Sequence, residues 1–134
     1  MARWRNGPGV LLMADSGPGE GTGSWPVAGV PLEIAASYRA RTRGLLGRDG
    51  IEGALLLTPA SGVHTVRMRF AIDVAYLSRD LTVLAVRTMP PGRFGRPRLR
   101  ARHVLEAEAG AMAKWGLRPG RRLAVEACGP DAAP

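Results

Sequence analysis

Apolar and polar residues alternate over Pro31-Leu32-Glu33-Ile34-Ala35, the period-two pattern of a strand with one face turned inward. Ser37 follows, ahead of Tyr-Arg-Ala-Arg-Thr-Arg-Gly-Leu-Leu-Gly. A serine there can accept from the free amides of a helix start, so the spacing predicts a short helix ended by Gly44 or Gly47. Ala54–Leu57 is an unbroken apolar run closed by Thr58-Pro59, which predicts a buried strand. Residues 72–78 and 81–87 predict a hairpin around a turn at Arg79-Asp80. A loop follows over 89–95. Residues 103–109 predict a strand that Gly110 breaks, and 111–117 a second short helix. Leu123–Ala127 predicts the closing strand, after a turn at Arg118-Pro119-Gly120. Residues 9–14 suit one more short strand.

Short strands at regular intervals, separated by Gly and Pro turns, argue against a parallel α/β sheet. They predict a mainly β fold: a compact single-domain sandwich or jelly-roll-like barrel of six to seven short strands with two short helices. Residues 1–29 read as a flexible N-terminal arm and loop, 30–127 as one β-rich domain, and 128–134 as a disordered tail. The loop part is rich in Gly, Ser and Pro, and Trp25 within it needs a surface to pack on.

Composition narrows this picture in three ways. Hydrophobic residues are 46% of the chain and aromatics only 5%, so the core is built from Leu, Val, Ile and Ala. The formal charge is +8, which suits an anionic partner. Lys114 is the only lysine among 19 basic residues, a bias that a GC-rich coding sequence produces without any such partner. Cys128 is the single cysteine, so no intrachain disulfide forms. The early apolar run from Val10 to Ala14 is too short for a signal sequence core or a membrane span, which leaves a soluble cytoplasmic protein as the expectation, with no membrane insertion.

Chemistry-bearing motifs are few. There is no Gly-rich phosphate loop before a helix, no paired-cysteine motif, no HExxH and no nucleophile elbow. His64, Asp73, His103 and Glu106 have the ligand types for a metal, but their spacing fixes no geometry. Glu106 and Glu108 fall on one strand face, read as solvent-facing. Asp73 lies between Ile72 and Val74, where a charge needs a partner. In strand geometry it shares a face with Ala75 and Leu77, and Arg69 just upstream is the expected partner, pinning a bend at Phe70-Ala71. Arg39, Arg41, Arg43 and Arg48 read as a solvated surface. Arg96, Arg98, Arg100 and Arg102 alternate, with Arg93 nearby. If extended, they form a charged face that either tracks phosphates or defends an edge strand.

Three segments together resemble a known family. They are Arg-Thr-Arg-Gly-Leu-Leu-Gly from Arg41 onward to Pro59, the stretch from Val63 to Val86, and the stretch from Arg100 to Gly120. In order they present Arg43-Gly44-Leu45-Leu46, Met68-Arg69-Phe70, Ile72-Asp73-Val74, Val104-Leu105-Glu106, Ala109-Gly110 and Gly116-Leu117. This set resembles the bacterial and archaeal domain-of-unknown-function family 192, in an actinobacterial form. The resemblance implies a mainly β sandwich or jelly-roll-like barrel and a biochemical role not yet established. Many relatives are exported or membrane-tethered, and some actinobacterial ones lie near pilus or secretion genes. The motif positions place Arg43, Arg69, Asp73 and Glu106 among the family's signature polar residues. Three positions depart from the pattern: Ala71 replaces a proline before Ile72, Arg121 replaces the aspartate of a closing Gly-Asp, and Arg67 stands where a small or aromatic residue is usual.

The leading functional expectation is a non-enzymatic domain that binds a small polar or anionic ligand, or a protein partner, without a cofactor. Its groove is drawn from Arg43, His64, Arg69, Asp73 and Glu106. The first alternative is RNA or DNA binding through Arg93, Arg96, Arg98, Arg100 and Arg102. The second is a metal-dependent hydrolase centred on His64 and His103.

Overall fold

The computed structural model describes residues 4–14 and 29–128. The expected loop around Trp25, the first three residues and the tail beyond Cys128 lie outside the described residues.

Seven strands build one sheet: β1 Gly7–Met13, β2 Val30–Ala35, β3 Ala54–Leu57, β4 Ile72–Leu77, β5 Val83–Met89, β6 His103–Glu108 and β7 Leu123–Ala127. Their spatial order is β5-β4-β6-β3-β2-β1-β7. Every neighbouring pair is antiparallel except β2 and β3. The two ends of the sheet meet. Val83 N donates to Arg121 O at 2.7 Å, Gly120 N to Val83 O at 2.8 Å, and Leu123 N to Leu81 O at 3.0 Å. The sheet therefore curls into a half-barrel, and the mainly β expectation holds.

The short helices form where the caps allow. In α1, Tyr38–Arg43, the Ser37 hydroxyl accepts from Ala40 N at 3.1 Å. Gly44 ends the helix at φ 47, a conformation that costs a side-chain-bearing residue. The second helix, α2, spans Ala111–Lys114, shorter than the pattern predicted. No helix among the described residues is long and apolar enough to cross a membrane.

Residues 7–13 form the short strand expected over 9–14 and correct the flexible arm drawn over 1–29. β1 pairs with β2 on one side and β7 on the other, so this part of the chain is an interior strand of the sheet. Its Gly-Pro-Gly start hid the pattern, because only Leu11 and Gly9 are fully buried.

Both faces of the central strands are covered, and this decides where the site lies. One core takes side chains from all seven strands, including Leu11, Leu32, Leu56, Ala75, Val83, Leu105 and Leu123, and so fills the inside of the curl. The other takes Leu55, Leu57, Ile72, Val74, Tyr76, Ala85 and Val104 from β3, β4, β5 and β6, with Ala35 from the end of β2. It lies on the outer face, covered by α1 and by Leu45, Ile51, Val63, Met68 and Ala101 from the connections.

Candidate functional site

Two carboxyl groups are buried, and the register separates them. Asp73 pairs with Ala107 across β4 and β6, while Glu106 pairs with Val74. Asp73 therefore faces the inside of the curl and Glu106 the outer face.

Asp73 is 3% exposed and fully used. Its Oδ1 accepts from Thr88 Oγ1 at 2.6 Å. Its Oδ2 accepts from Gly110 N at 2.9 Å and Met112 N at 3.1 Å. Those two amides open α2, which has no side-chain cap of its own. Asp73 thus caps a helix from another strand, where the free amides favour negative charge. This corrects the expected Arg69–Asp73 pair. Arg69 points outward to Asp49 at 3.1 Å, with 59% and 86% of the two side chains exposed.

Glu106 is 4% exposed and has no hydrogen bond or ion pair among the described residues. The end of α1 and the connection carrying Val63 and Met68 lie over its face of β6, so the predicted solvent-facing position is covered, and only Glu108 reaches solvent. Burial without a compensating partner pushes the carboxyl up to about 7. It opens on a chamber of about 80 Å³ lined by Arg41, Thr42, Gly44, Leu45, Leu46, Leu57, Gly62, Val63, His64 and Met68 as well. A β-carbon at Gly44 would stand 3.7 Å from Glu106 Oε1, so the end of α1 roofs the carboxyl.

The chamber adjoins a wider groove of about 470 Å³, whose walls include Tyr38, Ser61, Pro59 and Arg102. Arg41, Thr42, Leu57 and Gly62 line both spaces. Arg41 donates from Nη1 to Pro59 O at 2.9 Å, which fixes the guanidinium at the junction. Its Nε–H is buried there with no acceptor. Such an orphaned donor is costly.

Of the five residues expected in the groove, the structure brings two together, His64 and Glu106. Arg43 is exposed on α1 outside both spaces, and Arg69 and Asp73 are elsewhere for the reasons above. Arg41 is the residue that sequence reasoning missed. The signal was present: Tyr38, Arg41, Thr42 and Leu45 fall at helical spacing and share a face.

The arginine stripe does not form. Residues 95–102 are a loop, not an extended strand. Arg98 turns in, its guanidinium carbon 4.8 Å from the Tyr76 ring centroid, and Arg102 Nη1 bonds Leu99 O at 2.9 Å. Gly95 lets this loop close onto the sheet, since a β-carbon there would meet the Tyr76 hydroxyl and Val63. Arg93, Arg96 and Arg100 stay exposed, interrupted by Arg98.

The metal set is not assembled either. Among the described residues no three His, Cys, Asp or Glu side chains converge. His103 shares the inner face with Asp73, opposite Glu106. Its Nδ1 bonds Thr58 Oγ1 at 2.7 Å, and Trp4 packs edge-on against the ring. Burial lowers its proton affinity, partly offset by the Arg79 carbonyl. His64 is exposed beside Phe94.

A family model described as "Uncharacterized ACR", the domain of unknown function DUF192, matches residues 22–125. The chain belongs to the DUF192 family. Among curated proteins none matches the chain. Two solved structures share its fold. One, from Sinorhizobium meliloti 1021, is described as a "putative transcription regulator"; it is 18% identical with a TM-score of 0.70, over 93% of this chain and 97% of that one. The other, of unknown function, is from Novosphingobium aromaticivorans DSM 12444; it is 16% identical with a TM-score of 0.55, over 81% of this chain and 99% of that one. In this DUF192 chain the segments that carry the family pattern meet at two places. Gly44, Leu45, Leu46, Met68 and Glu106 line the chamber, while Asp73 and Gly110 join at the start of α2.

Proposed function

We propose that this DUF192 protein is a non-enzymatic binding domain for a small polar ligand carrying negative charge, held between α1 and the connections that flank β3 and β6. The observation that carries this reading is the unpartnered Glu106 carboxyl, buried at the floor of a chamber that the Arg41 side chain also lines. A fold retains buried polar groups without partners where something else supplies them. Arg41 and Arg102 give the groove positive charge, and Ser61, Thr42 and Tyr38 add hydroxyls along it. The chain's charge of +8 attracts the same class of ligand. The polyanion alternative loses support, because Arg98 folds onto Tyr76 and breaks the row of charge.

Native mass spectrometry of untagged protein tests this reading. Extra mass at unit stoichiometry is expected, lost in Arg41→Met and Glu106→Leu. A bare mass, together with no thermal stabilisation by any small organic anion, would contradict it.

A further inference from the structure

Arg41 and Glu106 both line the chamber, and they differ in kind. The Arg41 guanidinium is a fixed cation, because Nη1 is already tied to Pro59 O. Glu106 is a carboxyl that donates when protonated and accepts when ionised. Although they line the same space, they form no ion pair with each other.

Building on the groove reading, we propose that the chamber holds a ligand carboxylate, one oxygen facing the Arg41 guanidinium and the other accepting the carboxylic-acid proton of Glu106. Size agrees: about 80 Å³ takes a carboxylate with a short stem. The walls agree, since Leu45, Leu46, Leu57, Val63 and Met68 suit an aliphatic stem. Burial agrees as well. Glu106 is pushed up to about 7 with the chamber empty, so near neutrality much of the protein already carries the proton. An anion drawn in beside it would raise its proton affinity further.

The charges around Glu106 favour this choice over a cation. A row across the outer face runs Glu33, Leu55, Glu106, Val74, Arg87 from β2 to β5. Glu33 is neutralised by Arg48 at 2.7 Å, Arg87 is exposed and bonded to Val86 O, and Glu108 reaches solvent. From α1 and the 59–71 connection, Arg41 and His64 face the chamber. An ammonium would meet Glu106 but sit against Arg41. A neutral amide would leave the arginine charge unmatched.

The test is a set of NMR titrations with acetate, acetamide and methylammonium at pH 6 and pH 8. They use wild type, Glu106→Gln and His64→Gln. Acetate is expected to shift the backbone signals of Arg41, Gly44 and Glu106. Its affinity for wild type should fall about tenfold from pH 6 to pH 8, as the protonated fraction of Glu106 falls. Glu106→Gln, whose amide donates at any pH, should bind acetate equally at both. His64→Gln should keep the tenfold dependence, which excludes the histidine as its source. Methylammonium or acetamide binding in the chamber without acetate would overturn the carboxylate assignment alone. So would tighter acetate binding at pH 8 than at pH 6. Binding of none of the three would sink the groove reading with it.

Discussion

Asp73 and Glu106 lie on adjacent strands of one sheet, almost equally buried, and they face opposite sides of it. Asp73 accepts three hydrogen bonds and locks α2 onto the inside of the curl. Glu106 accepts none from the described residues and opens on a chamber. Burial alone therefore says little about a carboxylate's task; the count of partners separates them. The satisfied one stabilises the fold. The unsatisfied one costs stability, and such a cost marks a site.

The largest effect expected from this contrast is at Asp73. Asp73→Ala leaves two helix-opening amides and a threonine hydroxyl without their acceptor. It should destabilise by about 3–5 kcal/mol in urea unfolding, at the upper end for a buried charge-assisted network. A loss below about 1 kcal/mol would mean α2 is held by Met112 and Leu117 packing alone.

Glu106 should behave in the opposite way. Its folded-state proton affinity is raised from the ordinary 4.5 to about 7. The folded protein then holds this proton more tightly than the unfolded chain. The penalty is absent below about 4.5, grows as pH rises, and is complete above about 7, reaching about 3 kcal/mol. Glu106→Gln should match wild type near pH 4.5 and exceed its stability at pH 8 by an amount of that order. A variant less stable than wild type at pH 8 would show that Glu106 has a structural partner.

His103 sharpens the comparison by giving a slope of the other sign. Burial lowers its proton affinity from the ordinary 6.5, so the folded state binds the proton less well than the unfolded chain. Its neutral form costs nothing above 6.5, and stability is lost as pH falls below that value. His103→Gln should gain stability relative to wild type as pH falls from 7 to 5, read by unfolding at each pH. Equal slopes would mean the ring gains a compensating acceptor when charged.

The smallest effect is expected at Arg69. Its partner Asp49 is exposed, and Asp73 does not need it. Arg69→Ala should change stability by no more than about 0.5 kcal/mol in the same unfolding assay. A loss above about 2 kcal/mol would restore Arg69 as the group that pins the bend.

The alternation of Ile72, Val74 and Tyr76 against Asp73, Ala75 and Leu77 was legible in the sequence, and the two cores divide along it. Ser37 and Gly44 marked α1 correctly because capping is local chemistry. What spacing could not show is which strand face is covered. Glu106 and Glu108 look alike at two-residue separation, yet α1 and the 59–71 connection lie over the first, whereas the second ends β6 in solvent. The partner of Asp73 was equally hidden: Gly110 and Met112 are distant in sequence, whereas Arg69 was the nearest opposite charge. Among the arginines of α1, only the helical face shared with Tyr38 and Leu45 distinguished Arg41 from Arg43.

The most direct test of the contrast is a side-chain carboxyl NMR titration of Glu106 in ligand-free protein. A midpoint near 7 would establish a buried carboxyl with no partner in the fold. A midpoint near the ordinary 4.5 would mean that water or a hidden donor already satisfies it, and the chamber would lose its claim to be the site.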